Sequence, residues 1–181
     1  MKLGEFKSRD GVGGKSFALK TLWFFTSALF VNNSWPFSGV RIFFLRMFGA
    51  KIGRRVILRP HVRIKYPWRL TVGNDCWIGE SVWIDNLDDV VIEHDVCISQ
   101  DAYLCTGSHD WSDPNFSLVT APIVVECHSW ICARATLGPG THISEGTVVS
   151  IGCTISGTTT PWTVVRQRDD RTITSKRQKT V

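Results

Sequence analysis

The sequence predicts an all-β fold: a parallel β-helix solenoid with an aromatic-rich helical cap at its N-terminus. Three observations predict it. Aliphatic residues recur at a strict six-residue spacing, small or β-branched residues stand four positions after most of them, and glycine often follows them directly. Internal periodicity of this kind identifies repeat architectures before any residue-level reading.

The first run of the repeat is Ile52, Leu58, Ile64, then Val72, Ile78, Ile84, then Ile92, Ile98, Leu104, with each triplet starting 20 residues after the last. A second run is unbroken: Val125, Ile131, Leu137, Ile143, Val149, Ile155. The companions four residues on include Val56, Val62, Cys76, Val82, Val96, Ala102, Ser129, Ala135, Thr141, Thr147 and Cys153. Neither the helical period of ~3.6 nor simple alternation gives a strict six. A coil of three short, flat strands does. Each six-residue unit makes one wall and one corner, and coils stack at the ~4.8 Å strand spacing. Glycines such as Gly53, Gly73, Gly79 and Gly138 are expected to relieve the backbone at corners. The two extra residues in each early coil are expected to bulge after residues 69 and 89.

The chain divides into a cap (1–50), a solenoid (51–165) with an inserted loop at about 105–124, and a polar, frayed tail (166–181). In the cap, Pro36 and Gly49 mark the start and end of a helix. Its expected apolar face is Val40, Phe43, Phe44, Met47 and Phe48, flanked by Arg41 and Arg46. Covering the first coil against edge pairing is one role for such a cap. The stretch "FALKTLWFFTSALFV" (17–31) is interrupted by Lys20 and is shorter than the ~20 residues that span a bilayer. It is followed by "VNNSW" rather than by a small-residue cleavage site, so it reads as a helix that packs or lies on a membrane.

The net charge of +5 conceals a split: residues 1–65 carry 13 Lys/Arg and 2 acids, and residues 66–165 carry 2 and 12. One end therefore suits an anionic partner. Nucleic acid is not expected, because no recognition motif accompanies the charge. An anionic membrane surface or a phosphate-bearing substrate fits better. The six cysteines form no C-x-x-C pair and no Cys/His run with zinc spacing, so no metal is expected. They read as small buried residues of a reducing, cytoplasmic compartment.

The repeat breaks off at "YLCTGSHDWSDP" (103–114). His109 sits there at the root of an excursion from a rigid wall, a good position for chemistry. Imidazole titrates near neutral pH and can take a proton from a hydroxyl. Asp110, being adjacent, is badly placed to orient the ring. Asp113 or a group from another chain is the better candidate for that task.

The stretches "KYPWRLTVG", "WIDNLDDV" and "CISQDAYLCTGSHDWSDPNFSLVTAPI" closely resemble the exopolysaccharide (colanic-acid type) acetyltransferases of the hexapeptide-repeat family. The resemblance runs from the N-terminal aromatic segments to about Val165. It implies a left-handed helix, an exception to the usual right-handed crossover. It also implies a homotrimer with acetyl-CoA, as co-substrate, in the groove between two solenoids. His109 becomes the general base that lets an acceptor hydroxyl attack the thioester, with backbone N–H groups of a neighbouring coil stabilising the oxyanion. Asp85, Asn86, Asp110 and Trp111 become contacts to the acceptor, a sugar or lipid-linked oligosaccharide. Ala133, Ile151, Gly152 and Ser156 would line the CoA groove. The family's terminal run "SVVTKDVPPWTIVAGNPA" corresponds here to "CTISGTTTPWTVVRQRDD", in which only "PWTVV" survives. Arg168 and Arg171 are candidates to replace the lost lysine. The resemblance places the enzyme in the cytoplasm, in peripheral contact with the inner membrane face. Two other classes compete. A solenoid carbonic anhydrase needs an H-x4-H pair, which His61, His94, His109, His128 and His142 do not supply. A non-catalytic scaffold is favoured by the altered C-terminal run and opposed by the His109 loop.

Overall fold

A computed structural model describes residues 13–168 and 171–177. The solenoid has three walls of parallel strands. The first wall stacks Lys51–Ile52, Leu70–Val72, Val90–Ile92, Ile123–Val125 and His142–Ile143. The second stacks Ile57–Leu58, Trp77–Ile78, Cys97–Ile98, Trp130–Ile131, Val148–Val149 and Thr163–Arg168. The third stacks Arg63–Ile64, Trp83–Asp85, Tyr103–Cys105, Thr136–Leu137 and Thr154–Ile155.

The register turns the six-residue repeat into three aliphatic ladders. Ile52, Val72, Ile92, Val125 and Ile143 are successive partners on the first wall. Leu58, Ile78, Ile98, Ile131, Val149 and Val165 are partners on the second. Ile64, Ile84, Leu104, Leu137 and Ile155 are partners on the third. All are buried, as are all eleven of the companions named above. A strand only two residues long cannot bury a face alone, so burial comes from stacking coils on one another.

Corner geometry differs from the expectation in a specific way. At eleven corners the left-handed residue is the third after the aliphatic position: Arg55, His61, Asp75, Ser81, Asp95, Asp101, His128 and Arg134, then Gly140, Gly146 and Gly152. The glycine that directly follows the aliphatic residue has a different purpose, which is close approach of coils. A Cβ on Gly73 would lie 2.6 Å from His94 N and 2.7 Å from the Glu93 carbonyl carbon, both backbone atoms of the next coil. The extra residues of the early coils end at 69 and 89 rather than following them. One set forms the 3₁₀ turn Pro67–Arg69, and the other the bend before Val90.

The cap comprises α1 (Phe17–Thr26), a π-helical turn (Ser27–Val31) and α2 (Ser38–Met47). It supplies a polar group to the open edge of each wall. Arg46 donates to Ile52 O at 2.7 Å, Ser38 Oγ accepts from Leu58 N at 2.9 Å, and the Trp23 indole donates to Ile64 O at 3.0 Å. These bonds satisfy backbone groups that would otherwise template another strand.

The packed face of α2 is not the expected one. Arg41, Leu45 and Phe48 are buried, while Phe43 and Met47 point to solvent. Arg41 Nε donates to Val31 O at 3.0 Å, and its Nη2 donates to Asn33 O at 2.9 Å and to Trp35 O. The guanidinium thereby collects the carbonyls exposed where the π turn ends, which is why a charge takes the core side of the helix.

Two further expectations change. The stretch 105–124 is not an irregular loop: Gly107–His109 and Leu118–Thr120 pair antiparallel. The tail is not frayed at 166. Thr163–Arg168 continues the second wall and pairs antiparallel with Arg171–Lys176. No helix among the described residues is long and apolar enough to cross a membrane.

Candidate active site

The hairpin that carries His109 leaves the corner between the third and first walls. Its root is locked by a polar knot. Thr106 is fully buried; its Oγ1 donates to Asp85 O at 3.1 Å and accepts from Asp88 N at 2.9 Å. Asp88 Oδ2 accepts from Thr120 Oγ1 at 3.1 Å, and Asp88 Oδ1 accepts from Arg69 at 3.0 Å. Both strands of the hairpin are thus tied to one bend of the preceding coil. Gly107 packs against Leu87, where a Cβ would lie 2.5 Å from the Leu87 methyl.

At the end of its strand, His109 Nδ1 lies 2.7 Å from Phe116 O. A carbonyl only accepts, so Nδ1 carries the hydrogen and the basic lone pair of the neutral ring is on Nε2. The imidazole also stacks on the Phe116 ring, with centroids 4.2 Å apart and planes within 3°. Phe116 offers both contacts because it adopts φ +51°, in the left-handed region. Within this chain the group that holds the ring is therefore the Phe116 carbonyl, where Asp113 or a group from another chain was expected.

Asp110 and Asp113 shape the turn that presents it. Asp110 Oδ1 accepts from Ser112 N and Oγ at 2.9 and 2.5 Å, and Asp113 Oδ1 accepts from Asn115 N at 2.9 Å. Ser112's hydroxyl and backbone N–H hold the Asp110 carboxyl below the usual carboxylate range. Hydrogen bonds led by the Ser117 hydroxyl do the same for Asp113.

The expected acceptor contacts separate into two groups. Trp111 is 83% exposed at the hairpin tip. Asn86 is buried, and its amide is consumed by the backbone of Tyr66: Oδ1 accepts from Tyr66 N at 2.9 Å and Nδ2 donates to Tyr66 O at 2.6 Å. In this chain it forms a coil-to-coil clamp, because a buried amide is held by the polar groups beside it. Asp85 borders a cavity of about 280 Å³ together with Arg63, Lys65, Trp83 and Phe24. Lys65 Nζ lies 2.8 Å from its carboxylate, and Tyr103 OH donates to it at 3.3 Å. Burial, with Cys105 and Asp85 adding, pushes the Tyr103 hydroxyl well above its ordinary range, so it remains a donor.

Gly152 N donates to Ala133 O at 3.0 Å, so Ala133, Ile151 and Gly152 share one corner, between the second and third walls. Ile151 is 71% exposed there. Ser156 stands, exposed, at the corner from which the His109 hairpin leaves. One chain therefore does not bring the Ala133–Gly152 corner to His109. Arg168 and Arg171 are register partners in the C-terminal antiparallel pair.

Comparison with known proteins decides the family. The chain is 39% identical over 137 residues to the colanic acid biosynthesis acetyltransferase WcaF of Escherichia coli (strain K12), covering 76% of this chain and 75% of that one. The chain belongs to the colanic-acid type of hexapeptide-repeat acetyltransferases. No protein-family model matches it. Among solved structures, the hexapeptide-repeat acetyltransferase VCA0836 of Vibrio cholerae O1 biovar eltor, complexed with acetyl coenzyme A, superposes with a TM-score of 0.82. That match has 18% identity and covers 98% of this chain and 96% of the other. A maltose O-acetyltransferase from Clostridium difficile 630 gives a TM-score of 0.78 at 18% identity, with 90% of each chain covered. At such identities the two structures share the fold, the hexapeptide-repeat left-handed β-helix. Within this acetyltransferase, the Phe116 carbonyl and the Thr106–Asp88–Thr120 knot escaped sequence reasoning, because each depends on pairing across the hairpin.

Proposed function

We propose that the protein is an acetyl-CoA-dependent O-acetyltransferase that acts on a sugar hydroxyl of an exopolysaccharide precursor, with His109 as general base. The observation that carries this reading is the Nδ1–H bond from His109 to Phe116 O, because it sets the tautomer a base requires. In the step, Nε2 takes the proton of the acceptor hydroxyl. That oxygen forms a bond to the thioester carbonyl carbon, and the C–S bond then breaks. The leaving CoA thiolate takes the proton back from the imidazolium. Backbone N–H groups of a neighbouring coil stabilise the intermediate oxyanion. The acetyl-CoA bound in the Vibrio cholerae neighbour and the WcaF likeness support the donor and the pathway class. Acetyl-CoA consumption, followed as CoA release with a panel of nucleotide-linked and lipid-linked sugars, tests it. At least one acceptor is expected to raise the rate well above hydrolysis. No acceleration by any of them would favour the non-catalytic scaffold.

The active unit in this reading is a homotrimer. Support comes from the placement of the Ala133–Gly152 corner on a different edge of the solenoid from the His109 hairpin, so a groove using both takes them from two subunits. Light scattering is expected to give three chains per particle. A monomer at micromolar concentration would remove the shared site.

The acceptor in this reading is presented at the inner membrane face. Support comes from the cap, where Phe17, Phe24, Leu29, Phe37, Phe43 and Met47 are each at least 59% exposed. Solvent-facing rings beside basic residues suit an interfacial surface. Each basic residue near an anionic leaflet adds about 1 kcal/mol, screened over ~8 Å at physiological salt. Co-sedimentation with phosphatidylserine vesicles is expected at low salt and is expected to weaken at high salt. If the protein stayed in the supernatant at low salt, these rings would instead meet another protein chain.

A further inference from the structure

Coil stacking assembles a grouping that linear spacing conceals and that runs against the expectation of no Cys/His site. Ile92 is the register partner of Val125, so two residues further on His94 comes level with Cys127, and His128 N donates to His94 O at 3.4 Å. One nitrogen from each of His94 and His128 and the Cys127 sulfur lie within 4.8 Å of one another. The two rings meet edge to face, with centroids 5.4 Å apart.

We propose that His94, Cys127 and His128 bind a borderline-soft divalent cation of the zinc class. The donor set is two imidazoles and one thiolate, a combination that such cations favour, with a fourth position left for water. Bond lengths of ~2.1 Å to nitrogen and ~2.3 Å to sulfur put tetrahedral ligand atoms roughly 3.4–3.7 Å apart. The cluster therefore closes by about an ångström, which side chains on a surface corner reach by small rotations.

The surroundings match a metal centre in two respects. His94 Nδ1 is held 2.8 Å from Asp95 Oδ2, the carboxylate–histidine pairing that orients a ligating ring and leaves Nε2 for the metal. The neighbouring charges are mostly negative. Glu93 Oε2 accepts from Cys127 N at 3.0 Å. A cation also stands nearby: Arg177 Nη1 donates to His128 O at 2.8 Å and Gly146 O at 2.9 Å. Binding replaces the Cys127 S–H bond by an S–metal bond and releases one proton to solvent.

The consequence is a staple. Between His94 and Cys127 the chain completes a coil and makes the whole His109 hairpin excursion, so the ion would tie together the two coils that the insertion separates. A ligand specific to the folded state raises stability by mass action. At a hundredfold excess over Kd the melting midpoint is expected to rise by roughly 5–10 °C.

The test is anaerobic titration of the reduced full-length protein with Co(II). A sulfur-to-cobalt charge-transfer band, one Co(II) per chain and about one proton released are expected, and Zn(II) is expected to bleach the band. Cys127→Ser is expected to abolish the band, and His94→Gln to weaken binding at least 10- to 100-fold. His94 is exposed, so that variant retains the fold even if the serine variant does not. Absence of the band overturns the proposal. So does a band of unchanged strength in His94→Gln, which would place the cobalt on one of the other five cysteines.

Discussion

If His109 is the base proposed above, His109→Ala is expected to lower acetyl transfer by about 10²–10⁴-fold, the usual cost of losing a general base. The loss is expected in kcat, since the proton moves only in the transition state and the imidazole contributes little to holding the ground state. Stability is expected to change little. The ring is half-buried on a hairpin outside the three aliphatic ladders, and the Thr106–Asp88–Thr120 knot that holds the hairpin remains. The measurement is steady-state CoA release alongside a thermal melt. A folded variant that turned over at the parent rate would remove His109 from the chemistry.

Arg41→Ala is expected to destabilise the protein by about 3–5 kcal/mol, among the largest effects of any single substitution in the chain. The guanidinium is fully buried and donates to the carbonyls of Val31, Asn33 and Trp35. Truncation strands these acceptors away from water, at ~1–3 kcal/mol for each group left without a partner, and opens a cavity as well. The comparison is Arg46→Ala. Arg46 also donates to backbone, at Ile52 O and Gly53 O, but it is exposed, so water replaces the lost bonds at a cost of about 1 kcal/mol. Denaturant titration of both variants checks the order. Equal losses would mean that the cap is held by its apolar contacts, Trp23 on Phe48 and Leu45, rather than by the arginine clamp.

The two predictions fall on opposite sides of what a sequence can show. The place of His109 was legible because a strict repeat makes any interruption conspicuous, while the role proposed for it came from the family resemblance. Arg41 was not legible. A helical wheel assigns an arginine to the outer face, and the feature that reverses the assignment is the set of carbonyls left by the π turn at Ser27–Val31. No local propensity announces that turn. The same reversal put Phe43 and Met47 in solvent and Leu45 in the core.

By itself, the sequence determined the solenoid: its three walls, its interior ladders and the place where the hairpin leaves. Each of these depends on one residue's own size and polarity at a fixed interval, so local chemistry suffices. The tertiary structure alone decided what lies beside what. Coil-on-coil register brought His94 to Cys127, gave Asn86 to the backbone of Tyr66, and made close approach the reason for Gly73. Pairing across the hairpin delivered the Phe116 carbonyl to His109. These contacts are set by backbone pairing between residues up to 33 positions apart. The backbone is the same for every residue type, so such partners leave no mark in a one-dimensional pattern.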